Sequence, residues 1–162
     1  MLVGIMSDSH DNLPAIRAAV DLFHRRNVEA VLHAGDLVAP FTAKELLRLR
    51  PPLHIVFGNN DGERLGLKQV FGDRIHVAPY KLNLGGKNVL LLHEPDNLDA
   101  IADSGHFDAI IYGHLHEVDI RKGRTLVINP GECGGWLSGR CTVALWDTEN
   151  GSVEVVDLPV QP

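Results

Sequence analysis

Cysteine is scarce in this chain: Cys133 and Cys141 are the only two in 162 residues, and they do not form a C-x-x-C pair. That excludes a disulfide framework and a thiolate metal site, and both read as buried small residues or bystander thiols. Long apolar runs are also lacking, and none approaches the ~18 uninterrupted residues that would span a bilayer. The apolar run at the N-terminus is too short for a signal peptide, has no basic leader and is interrupted by Asp8, so a cytoplasmic protein with no membrane partner is expected. Positive charge is in deficit, with 15 Lys and Arg against 21 Asp and Glu and a net charge of -6. An acidic balance disfavours nucleic acid as a partner, although a divalent metal site still recruits phosphate locally. Repeats, linkers and low-complexity tracts are missing. What is present is a globular composition, 44% hydrophobic and 22% charged, at the length of one ordinary domain, so a single domain over 1–162 is expected.

The apolar run Leu2-Val3-Gly4-Ile5-Met6 ends in Asp8-Ser9-His10 and reads as a buried strand delivering two ligands at its C-terminal end. Asp11 or Asn12 caps a helix with Pro14 in its first turn and Leu13, Ile16, Ala19, Val20 and Phe23 on one face, running to about Asn27. Ala30-Val31-Leu32 is a second strand closing on Gly35-Asp36. Pro40 opens a helix through Leu46, Leu47 and Leu49, and Leu53 to Phe57 is a third strand closing on Gly58-Asn59-Asn60-Asp61. Strand and helix alternating in this way predict a parallel sheet. The second half changes rhythm. Val77–Leu84 and Lys87–Leu92 flank the hairpin signal Gly85-Gly86, and a short helix from Pro95 carries Leu98 and Ile101. The strand Ala109–Tyr112 ends in Gly113-His114-Leu115-His116. Two more hairpins are expected, 118–121 with 125–128 and 141–146 with 153–158, and Asn129-Pro130-Gly131 reads as a turn between them.

Strand ends therefore deliver Asp8 and His10, Asp36, Asn59, His93, and His114 with His116. Nitrogen and oxygen donors without sulfur suit Mn²⁺, Fe²⁺, Zn²⁺, Ni²⁺ or Mg²⁺, and this many ligands are too many for one ion. Two divalent ions are the natural reading. If Asp36 bridges them, a water held between the ions is acidified into a hydroxide nucleophile, and the cations neutralise phosphoester oxygens. Each piece alone is commonplace: Asp-Ser-His often caps a helix, and Gly-Asn-Asn-Asp alone is a turn. Their ordered combination carries the inference. Of nine histidines, His24, His54, His76 and His106 fall away from these ends and are assigned to surface or packing, and His33 to the core or to support of the site.

In order and over essentially the whole chain, these residues resemble the calcineurin-like metallophosphoesterase superfamily. The length and Asn129-Pro130-Gly131 resemble its small phosphodiesterase branch, which is related to the retromer subunit of the same fold. The resemblance implies an α/β fold, a four-layer α/β/β/α sandwich of two mixed sheets flanked by helices. It implies one metal on Asp8, His10, Asp36 and His116 and another on Asp36, Asn59, His93 and His114. Asp36, Asn59 and His114 are the residues it marks for catalysis, and Mn²⁺ is the first expectation for the metals. The implied activity is a metal-dependent phosphodiesterase on a small phosphodiester, by in-line attack of a metal-bridging hydroxide. The competing reading is a non-catalytic interaction module of the same fold, in which ligand loss is expected.

Three positions depart from the pattern. Asn60 stands where a histidine is usual and cannot transfer a proton at neutral pH, which fits diesters with good leaving groups. Glu94-Pro95 follows His93 where glycine and histidine are common. Glu132 follows the Asn-Pro-Gly turn where serine is usual, and reads as a solvated turn residue or as a charge that selects against phosphate. Asp61 reads as a helix cap or an acceptor supporting the site, and Arg17 and Arg64 as solvated or as reaching a phosphate. The Gly134-Gly135-Trp136-Leu137 loop reads as an interface, including one between copies, as a substrate edge, or as a Trp folded over the core.

Overall fold

The computed structural model describes residues 1–160. Two sheets stack face to face. The first has the order β11-β10-β1-β2-β3-β4 and the second β5-β6-β7-β9-β8. In the first, β1 (Leu2–Met6), β2 (Ala30–His33), β3 (Leu53–Val56) and β4 (Ile75–His76) run parallel, with β10 (Thr142–Asp147) antiparallel to β1 and β11 (Val153–Asp157) antiparallel to β10. In the second, β6 (Lys87–Leu91), β7 (Ala109–Ile111) and β9 (Leu126–Pro130) are parallel, edged by antiparallel β5 (Tyr80–Leu84) and β8 (Val118–Arg121).

The pleat of β1 shows how the sequence assembles the layers. Val3 and Ile5 face the second sheet, in a core with Val89, Leu91, Ile111 and Trp146. Leu2 and Met6 face α1 (Leu13–Arg25), α2 (Ala43–Leu46) and α3 (Arg64–Phe71), in a core with Ile16, Phe23, Leu46 and Phe71. Gly4 lies on that helix face, where a Cβ would come within 2.8 Å of the Phe23 ring, so the helix packs this closely only over glycine. On the far side, Leu90, Leu92, Ile110 and Tyr112 pack beneath α4 (Leu98–Ser104) through Leu98. The result is the expected α/β/β/α layering of two mixed sheets.

Several local expectations are corrected. The helix expected from Pro40 through Leu49 is a 3₁₀ turn over Pro40–Thr42 followed by α2, which ends at Leu46, and Leu47 is exposed. The strand expected from Val77 starts at Tyr80, because Pro79 has no N–H to give to the ladder. Asn129 and Pro130 are not a turn: they pair with Asp119 and Val118 in the β8–β9 ladder, and the chain turns at Gly131, at φ +80°. β4 is only two residues long, too short to leave a period in the sequence.

Candidate metal centre

Three strand ends of the first sheet and two of the second open on the same point. The loop after β1 is bound to the loop after β2 by Asp8 N–H to Gly35 O (3.0 Å) and His10 N–H to Asp36 O (3.1 Å). Left-handed backbone at Asp8 (φ 51°), His10 (φ 39°), Asp36 (φ 59°), His114 (φ 70°) and His116 (φ 59°) turns these side chains inward. Such conformations disfavour non-glycine residues and persist where surroundings over-determine them, which is common at functional sites.

Two clusters result. Asp8, His10 and His116 bring one ligand atom each to within 4.8 Å of one another, as do Asp8, Asp36 and His93. His10 Nε2 lies 3.9 Å from Asp8 Oδ1 and 3.6 Å from Asp36 Oδ2, and His116 Nε2 lies 3.5 Å from Asp8 Oδ1. Asp36 Oδ2 also lies 3.4 Å from His93 Nε2, so this oxygen stands between the two clusters. Asn59 Oδ1 is 2.8 Å from His93 Nε2 and 2.9 Å from His114 Nδ1.

With His93 neutral, the donors and acceptors here are mismatched, and a cation among them would resolve the mismatch. His93 Nδ1 lies 2.7 Å from the Ala34 carbonyl, which only accepts, so Nδ1 carries the proton. In the neutral ring the Nε2 lone pair then faces Asn59 Oδ1 and Asp36 Oδ2, both acceptors. His10 Nε2 is buried, with no hydrogen-bond partner among the described residues. Asp8 is fully buried, its described hydrogen bonds coming from His114 N–H at 3.1–3.2 Å, and burial pushes its carboxyl up. A divalent ion offsets that desolvation and satisfies the converging lone pairs, so these residues fit metal ions. Burial also pushes the Asp36 carboxyl up, but the His93 imidazole and the Asn60 amide outweigh it and hold Asp36 below the usual carboxylate range.

The calcineurin-like phosphoesterase superfamily domain matches residues 1–151. The chain belongs to that superfamily. It is 42% identical over 159 residues to a phosphodiesterase of Methanocaldococcus jannaschii, covering 92% of this chain and 94% of the relative. A solved archaeal phosphodiesterase superposes with a TM-score of 0.90 at 38% identity, covering 98% of this chain and all of that one. Vps29 of Chaetomium thermophilum, at 22% identity and a TM-score of 0.67 over 100% of this chain and 97% of that one, shares the fold.

The remaining nominated residues of this phosphoesterase take specific places. Asn60 donates from Nδ2 to Asp36 Oδ2 (2.7 Å) and from its N–H to Asp36 Oδ1 (2.8 Å), so it orients Asp36. Asp61 is not the cap of α3, which follows Glu63. It is a buried acceptor for Asp36 N–H (3.1 Å), Val38 N–H (2.7 Å) and Gly58 N–H (2.7 Å), fastening the two ligand loops together. Arg64 folds back onto the carbonyls of Asp61 and Gly58 and over the Phe57 ring, and Arg17 pairs with Glu45 at 2.8 Å. Glu132 is not a solvated turn residue: it is 1% exposed and accepts from Leu137 N–H and from the N–H and hydroxyl of Ser138. Burial pushes its carboxyl up, and the Ser138 and Leu137 bonds more than reverse that. Trp136 stays half exposed while its Nε1–H bonds the His10 carbonyl at 3.0 Å. His33 is buried between Ser9 and Gly35 N–H, and burial lowers its pKa to about 3, so it remains neutral beneath the site. The Ala34 carbonyl that sets the His93 tautomer was invisible in the sequence, because a main-chain oxygen carries no residue signature.

Proposed function

We propose that this chain, as one domain over 1–162, is a metal-dependent phosphodiesterase acting on a small phosphodiester in the cytoplasm. The convergence of Asp36 Oδ2, Asn59 Oδ1 and two imidazole nitrogens beside the Asp8, His10 and His116 cluster carries this reading. Asp8, His10, Asp36 and His116 would hold one ion, and Asp36, Asn59, His93 and His114 the other, with Mn²⁺ the first candidate. Bound there, two divalent ions would supply an acidified water for in-line attack and neutralise the non-bridging oxygens of the ester.

The chain's own residues then set the selectivity. Asn60 is committed to Asp36 and has no proton to give, so the leaving group departs unaided, which favours esters of acidic alcohols such as phenols. Beside His93 opens a cleft of about 240 Å³, walled by Phe57, Leu90, Leu92 and Ile101, with Glu94 and Asp96 on its rim. Apolar walls and two carboxylates suit an apolar ester arm and repel one that carries further phosphates. The ligand loss expected of a binding-only module is not seen at these positions.

Chelated protein assayed with an aryl phosphodiester and the matching monoester, with and without added Mn²⁺, tests the proposal. Mn²⁺-restored turnover that prefers the diester is expected. A folded protein that binds Mn²⁺ and hydrolyses no diester overturns it.

A further inference from the structure

Behind His116 lies a charge that the ligand set does not use. The ring's Nε2 faces Asp8 at 3.5 Å, while its other nitrogen, Nδ1, stands 3.1 Å from Glu132 Oε1. Nδ1 is buried, and among the described residues none makes an aligned hydrogen bond to it; the Glu132 carboxylate stands beside it at 3.1 Å, within reach of a small rotation of the ring. His93, on the other side of the centre, has a hydrogen-bonded counterpart, with the Ala34 carbonyl 2.7 Å behind the ring and Nε2 turned toward Asp36 and Asn59. An acceptor behind a ring favours the proton on Nδ1 and leaves the Nε2 lone pair pointing inward.

We propose that Glu132 is a positioning residue for metal binding: it fixes the tautomer and orientation of His116. This rests on the reading that His116 holds a metal ion. The loop geometry supports the assignment. The Glu132 oxygens are anchored by Leu137 N–H and by Ser138 N–H and Oγ–H (2.8 Å each), so the carboxylate is held still before any ligand binds. The segment that follows is fastened to the opposite ligand loop by Cys133 N–H to Ser7 O (2.9 Å), Gly134 N–H to Asp8 O (2.9 Å), Asn12 Nδ2–H to Gly134 O (2.8 Å) and Trp136 Nε1–H to His10 O (3.0 Å). The segment after Glu132 is thus held to the β1 loop, which carries Asp8 and His10, while the Glu132 carboxylate faces His116 on the β7 loop.

A neutral hydroxyl would suffice to close this turn. A buried full charge is costly, and its retention makes sense where a cation lies one ring away. Two divalent ions outweigh the charges of Asp8 and Asp36, and a third carboxylate behind His116 offsets part of the excess without occupying a coordination position.

Calorimetric titration of Mn²⁺ into the chelated full chain, as wild type, Glu132→Ala, Glu132→Gln and Ser138→Ala, tests this. Loss of an outer-shell partner of a metal-binding histidine weakens affinity by about 10–100-fold. That loss is expected at one of the two sites in Glu132→Ala, with the other unchanged and with Glu132→Gln, which keeps an acceptor oxygen, falling in between. Ser138→Ala removes one of the donors that hold the Glu132 carboxylate but nothing that touches His116, and should weaken the same site less than Glu132→Ala does. Nitrogen-15 spectra of the imidazoles should show the Nδ1–H form of His116 in the wild type and its loss in Glu132→Ala. Equal Mn²⁺ affinity in wild type and folded Glu132→Ala overturns the proposal. So does a Ser138→Ala protein as weakened as Glu132→Ala, since Glu132 would then act through the loop. If Glu132→Ala does not fold, Glu132→Gln decides: full wild-type affinity together with an unchanged His116 tautomer rejects the role of the charge. A wild type that binds no Mn²⁺ removes the metal reading itself, a failure distinct from the others.

Discussion

The two sheets supply different chemistry to the same site. Loops of the first sheet bring Asp8, Asp36 and Asn59 with a single imidazole, His10, whereas the second sheet brings only imidazoles, His93, His114 and His116. They are also held differently. The first-sheet loops are fastened to each other by a buried carboxylate, Asp61, which takes three backbone N–H groups, and by Asn60 on Asp36. Two of the second-sheet rings have an acceptor behind them, a carbonyl at His93 and the Glu132 carboxylate at His116. Were these residues to hold metal ions, acidic ligands would need their charge held in place and imidazoles their tautomer chosen, and each sheet would provide for the type it carries.

The sharpest way to break this division is Asp36→Asn. One oxygen of Asp36 faces both His10 and His93, so removing its charge disturbs both clusters at once. Turnover should fall by more than the ~100-fold typical of outer-shell changes, with both ions weakened in a folded protein. A variant that stays active with two tightly held ions would show that Asp36 does not stand between them.

Asp61→Ala tests the fastening and not the ligands. It leaves the N–H groups of Asp36, Val38 and Gly58 without their acceptor in a buried loop. At about 1–3 kcal/mol per orphaned group, partly recovered by water, a loss of about 3 kcal/mol is expected in urea unfolding. A loss below ~1 kcal/mol would mean that water replaces the carboxylate and that the loops hold without it. Gly58 adds to the rigidity of this junction, since a Cβ there would collide with Asp36 Oδ1 and its backbone N.

The layered fold was legible in the sequence because both sheets are built from short β-branched runs with turn signals between them, and Gly85-Gly86 turns with the positive φ values that such a pair allows. The polar residues nominated at the strand ends lie together for the same reason: each follows a recognisable apolar run. What escaped the sequence is what depends on the backbone of another segment. Glu132 sits in a glycine-rich stretch that reads as solvated, and its burial is decided by the N–H groups of Leu137 and Ser138 curling back over it. Asp61 looks like a helix cap because a helix follows, yet its acceptor capacity is taken by the Asp36 loop. Pro130 belongs to a strand because its missing N–H falls at the end of the β8–β9 ladder, where no donor is needed.

The comparison extends outward to the helix layers, where the smallest effect is expected. α4, over the second sheet, buries only Leu98, but the layer over the first sheet buries an acid, Glu45, between Arg17 (2.8 Å) and Arg48 (2.7 Å). Hydrogen bonds from these two guanidiniums hold the Glu45 carboxyl down to about 2, against 4.5 for the ordinary group. A carboxyl depressed in the folded state stabilises the fold above its unfolded pKa, and that contribution drains away as pH falls from 4.5 through 2. Glu45→Gln should therefore cost about 1 kcal/mol at neutral pH, kept small because both arginines are half exposed and screened by solvent. The gap between wild type and variant should close toward pH 2 in urea unfolding. A gap that persists unchanged at low pH would assign the loss to packing of the side chain and not to its charge.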